Sequence, residues 1–93
     1  MVLHCDAMKR KHRRTFDNVV ALNGGTHWAD VEDLLKNGFA AQVYEGSGST
    51  VTFVFRGVKL TVDRPHPRRE CGRGLVKRIN VFLAETGYLA DND

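Results

Sequence analysis

The sequence predicts one two-layer α+β domain, ordered α-α-β-β-β-α, with helices covering one face of a three-stranded antiparallel sheet. Three observations predict it. Apolar residues recur at helical spacing in two segments before residue 39 and in one after residue 73. Between them the pattern switches to alternation in three short runs separated by turn residues. The length, 93 residues, leaves room for one modest core.

The stretch 1–11 reads as a disordered basic tail, and 12–90 as the single domain. Met8 is a second candidate start, and 1–7 has no apolar run of secretory-leader length. Thr15 is the expected cap of a first helix reaching about Leu22, with Phe16, Val19 and Val20 on one face. Asn23, Gly24 and Gly25 tolerate positive φ and end it. Thr26 is the next expected cap. Trp28, Val31, Leu34 and Leu35 form the second stripe, and Asp30, Glu32 and Asp33 occupy its dipole-favoured first turns. Gly38 stops that helix.

Ala41 and Val43 then alternate with Gln42 and Tyr44, and the run 46–49, Gly-Ser-Gly-Ser, is a turn. Val51, Phe53 and Phe55 alternate with Thr50, Thr52, Val54 and Arg56. Arg56-Gly57 suits a two-residue hairpin into Val58, Leu60 and Val62. Tyr44, Thr52, Val54 and Arg56 are expected on the open face of the resulting meander. Pro65 and Pro67 end the third strand in a stiff, exposed connection. The last helix is expected from about Gly74 to Thr86. Leu75, Ile79, Phe82 and Leu83 lie on its buried face, Lys77, Arg78 and Asn80 face away, and Gly87 is the stop.

Composition narrows the function classes. Hydrophobic residues make up 42% and charged residues 27%, values typical of a globular domain, and no apolar run reaches transmembrane length. Cys5 and Cys71 are too few for a disulfide framework, so a reducing cytoplasm is the expected setting. The formal charge is only +3, but it is unevenly spread. Five of the six residues from 9 to 14 are Lys or Arg, and 64–78 holds six more against one acid, Glu70. An electropositive face of this kind suits a polyanion, and a merely solvated charged surface is the competing reading.

Few residues have the pattern of a reaction centre. No Cys or His spacing fits a metal site, the only close pair being His4-Cys5 in the tail, so no metal is expected. No glycine-rich loop joins a strand to a helix, so no nucleotide cofactor is expected either. His4, His12 and His27 are expected at the surface. Cys71 is expected to be a bystander thiol, with a pKa lowered by its basic loop as the alternative. His66 differs: it is framed by Pro65 and Pro67 and surrounded by Arg64, Arg68 and Arg69. Imidazole exchanges protons near neutral pH, and guanidinium groups bind phosphate bidentately. That combination suits metal-free RNA cleavage, in which a base takes the 2′-hydroxyl proton and cations stabilise charge on the phosphoryl oxygens. The other reading is a stiff turn that only touches phosphate or a partner.

Taken in order, these pieces resemble the HicA-type toxins of bacterial type II toxin–antitoxin pairs. The matching stretches are VEDLLKNGF (31–39), GSGSTVTF (46–53), VKLTVDRPHP (58–67) and GRGLVKRINVFLAETGY (72–88), and MKRKHRRTF (8–16) resembles the start of a divergent branch with an Arg-Pro-His-Pro motif. The likeness covers about 80 of the 93 residues and rests on order and spacing. It implies a fold similar to a double-stranded-RNA-binding domain, a small metal-independent mRNA interferase, and a HicB-like antitoxin partner. It also implies a catalytic histidine just after a Gly-Ser pair. Here Thr50 follows Gly48-Ser49 in that place, and Thr50 cannot act as a base near neutral pH. His66, in the Pro-His-Pro stretch, is the remaining candidate acid/base. Arg64, Arg68, Arg69, Arg73, Lys77 and Arg56 are the candidate RNA contacts. An RNA-binding module without catalysis, and a protein that mainly receives an antitoxin, are the alternative readings.

Overall fold

A computed structural model describes residues 8–88. The expected order α-α-β-β-β-α is present, with three helices on one face of a three-stranded antiparallel sheet ordered β1-β2-β3. No helix among the described residues is long and apolar enough to cross a membrane.

Helix α1 spans Arg10–Val20, so it begins five residues before the expected cap. The reason is His12. Its ring is 3% exposed and extends the buried stripe to His12, Thr15, Phe16 and Val19, spaced i, i+3, i+4, i+7. Thr15 is therefore inside the helix, where its hydroxyl donates to the Lys11 carbonyl at 3.1 Å. Of the stretch expected as a tail, Lys9 is the N-cap and Arg10 and Lys11 form the first turn, while 1–7 lies outside the described residues. The same burial corrects the expectation of a surface His12: its Nε2 meets Asp33 Oδ2 at 3.1 Å.

Helix α2, Trp28–Asp33, continues without a break into a wider π-helical turn, Leu34–Gly38. Its cap position is His27; Thr26 instead donates to the Asn23 carbonyl at 2.6 Å, which closes the preceding loop. Trp28, Val31, Leu34 and Leu35 are buried as the stripe predicts. Gly38 sits where a Cβ would lie 3.0 Å from Leu34 Cδ1 and 3.2 Å from His12 Nδ1, so glycine here lets α1 approach.

Strands β1 (Gln42–Glu45), β2 (Thr50–Phe55) and β3 (Val58–Asp63) form the meander, with Val43, Phe53 and Leu60 in one row. Arg56 and Gly57 have φ of 52° and 79°, the left-handed pair that a two-residue hairpin requires. Val51, Phe53, Leu60 and Val62 face the helices and are buried.

Helix α3, Gly72–Glu85, buries Val76, Ile79, Phe82 and Leu83. Val76 thus takes the core place expected of Leu75, which is only half-buried. Asn80 does not simply face away: its amide donates to the Val19 carbonyl of α1 at 3.3 Å. Phe16 lies 5.5 Å from Tyr88, and the Gly72 amide donates to the Gly24 carbonyl at 2.9 Å. Helices α1 and α3 are therefore antiparallel neighbours over the sheet.

Candidate nucleic-acid interface

The connection from β3 to α3 is tied down at both ends and projects between them. At its start, the Arg64 amide donates to the Ser49 carbonyl at 3.0 Å. At its end, Trp28 N donates to the Arg69 carbonyl and Cys71 N to the Thr26 carbonyl, both at 2.8 Å, and His27 and Glu70 form an isolated antiparallel bridge. Neither proline could supply such a bond, since proline has no N–H. Pro65, His66, Pro67 and Arg68 make up the projecting part, and His66 is exposed. The His66-Pro67 peptide is cis.

Arg64 anchors the loop. Its guanidinium donates to Glu32 Oε2 at 2.8 Å and to both carboxylate oxygens of Glu45 at 2.9 Å. Trp28 Nε1 donates to the other Glu32 oxygen at 3.0 Å, so helix α2, strand β1 and the loop share one network. The hydrogen bonds from Arg64 hold the Glu45 carboxyl below its ordinary value, and those carboxylates raise Arg64 in turn. A guanidinium so occupied is a positioning group, and the structure gives Arg64, expected among the phosphate ligands, this structural role.

Arg68 and Arg69 are exposed and line a shallow depression with His27, Trp28, Ala29 and Pro65. His27 is exposed as expected, 3.9 Å from Glu70. Arg73 lies on α3 against Gly24, where an added Cβ would meet Arg73 N at 2.9 Å and Arg73 Cγ at 2.8 Å. Lys77 is one turn further, in a groove between α3 and β3 that it shares with Lys59 and Arg78. Lys59 and Arg78 join this group only in the folded chain, since neither is among the arginines that surround His66 in sequence. Arg78 also donates to the Thr61 carbonyl at 2.7 Å on the outer edge of β3.

Arg56 is not part of this group. It lies just past the far end of β2, about 20 Å from Thr50 at the strand rise. It also leaves the open sheet face where it was expected. Its guanidinium lies over the rings of Phe55 and Tyr88, at 5.3 and 5.7 Å, and donates to the Thr86 carbonyl at 3.3 Å. The rings on the helical side attract the cation inward. Tyr44, Thr52 and Val54 do line the open face, beside Gln42, Lys59 and Thr61.

Thr50 begins β2 opposite Asp63, and its hydroxyl donates to Asp63 Oδ1 at 2.8 Å. Thr50, Asp63 and the root of the His66 loop therefore share one end of the sheet. Cys71 is a bystander thiol, as expected: burial, with a smaller contribution from the Asp30 charge, pushes it up to about 11. The nearby arginines do not offset that desolvation. Among the described residues, no three of His, Cys, Asp and Glu come together as a metal-binding group.

Compared with known proteins, the chain matches no family model, no curated protein and no solved structure.

Proposed function

We propose that this chain is an RNA-acting toxin component of the HicA type, with a fold like that of a double-stranded-RNA-binding domain, cleaving mRNA in the cytoplasm without metal. A HicB-like antitoxin is its proposed protein partner. The observation that carries this reading is the loop itself. An exposed histidine stands between two prolines, on a segment anchored at both ends, with exposed Arg68 and Arg69 following it. A proton-transfer group is useful only if it is held still, and anchoring of this kind supplies that.

In the proposed reaction His66 takes the proton of a ribose 2′-hydroxyl. The 2′-oxygen bonds to the adjacent phosphorus, the bond to the 5′-oxygen breaks, and the imidazolium returns the proton to that oxygen. Arg68 and Arg69 offset charge on the non-bridging oxygens. Arg73 and Lys77 hold flanking phosphates.

One observation favours a second reading, an RNA-binding module without cleavage. Thr50 occupies the place of the family's usual histidine, and its hydroxyl is engaged by Asp63. Product analysis separates the two. Purified protein is incubated with RNA in excess chelator. New 2′,3′-cyclic phosphate ends support cleavage by the proposed route. Ends of another kind, or cleavage only with added divalent metal, overturn it. Bound but intact RNA selects the second reading.

A further inference from the structure

We infer that the outer face of α1 is a second contact for the RNA phosphate backbone, an inference that rests on the RNA-acting reading above. The buried stripe of α1 leaves Arg10, Arg13, Arg14 and Asp17 on the solvent side, and all four are exposed. Arg13 pairs with Asp17 at 3.4 Å, and Lys11 pairs with Asp33 at 3.1 Å. Arg10 and Arg14 have no carboxylate partner among the described residues.

This arrangement works against the helix that carries it. Arg10 and Arg14 are like charges spaced i, i+4, which repel. Arg10 stands at the positive end of the helix dipole, where the first turn contains no acid. The buried stripe holds α1 in place despite them, with Met8 packed on the core before it. A run of phosphates relieves both repulsions. A membrane surface fits less well, because the apolar face that would enter it is already buried in the core.

The antiparallel pairing of α1 and α3 fixes where this face lies. Arg10 and Arg14 are near the end of α3, whereas Arg68, Arg69 and Arg73 are near its start. Arg10 lies about 15 Å, and Arg14 about 9 Å, from the end of α1 that faces the start of α3, at the helical rise. RNA running along the helical layer meets cations at both ends; a short oligonucleotide meets one.

The test is the salt dependence of binding to single-stranded RNAs of about 20 and about 4 nucleotides, for wild type and the Arg10→Gln/Arg14→Gln variant. On the long RNA, losing two phosphate contacts lowers the salt slope by about 1.4, so the variant loses about sevenfold less affinity between about 50 and 200 mM salt. The short RNA, bound at the His66 loop, is unaffected. The variant melts no lower than wild type, since a repulsion is removed. Unchanged slope and affinity on the long RNA overturn the inference and leave the RNA reading standing, and equal losses on both RNAs overturn the two-ended placement. If the variant keeps its RNA affinity but loses binding to phosphatidylserine vesicles, α1 is a membrane contact and the inference fails. A wild type that binds neither RNA overturns the RNA reading itself.

Discussion

Arg64 and Glu32 meet at 2.8 Å across 32 positions of chain, and the same guanidinium closes on both oxygens of Glu45. This one side chain joins the loop to α2 and β1. Arg64 and Glu32 are 27% and 21% exposed, so water weakens their pairing only in part, whereas Glu45 at 63% contributes less. Arg64→Met is expected to lower stability by about 1–2 kcal/mol, a fall in melting temperature of roughly 4–8 °C per kcal/mol. Glu45→Gln should cost clearly less. Thermal denaturation of the two variants checks the order.

Gly24 holds the end of α1 against the start of α3. Gly24→Ala places a Cβ within 2.9 Å of a backbone nitrogen, Arg73 N, which cannot rotate away. Overpacking of this kind is expected to cost about 1–3 kcal/mol. It should also weaken RNA binding, because Arg73 is displaced with it. Denaturant unfolding and RNA titration of the same variant measure the two effects.

Asp33 sets an acid limit on the contact between α1 and α2. The Asn37 amide and then the Lys11 ammonium, with His12 behind them, hold its carboxyl down to about 2, against an ordinary value of 3.8. The lowered pKa stabilises the folded state fully above about pH 4, and that stabilisation is lost as pH falls toward 2. Asp33→Asn is therefore less stable than wild type at neutral pH, and the gap closes on acidification. Melting temperatures from pH 7 to about 2 follow the gap.

The parts legible in sequence were those written in local patterns. Alternation around Arg56-Gly57 marked the hairpin, and the spacing of Val31, Leu34 and Leu35 marked the core face of α2. The start of α1 was hidden because its deciding core residue is a histidine, polar by type and buried only with Asp33 beside it. Arg64 could be read as one more cation near His66, since its partners at positions 32 and 45 meet it only in the folded chain. Arg56 belonged by alternation to the open face and was drawn away by two rings, one of them 32 residues distant in sequence.

The most direct test of the central claim is RNA integrity in cells after induction, with wild type beside His66→Ala. His66 is exposed, so the variant should fold and melt like wild type. Loss of a proton-transfer group is expected to cut cleavage by about 10²–10⁴-fold. Degraded RNA with wild type and intact RNA with an equally abundant, folded variant is the predicted result. Equal degradation with both proteins, or intact RNA with wild type, would contradict it.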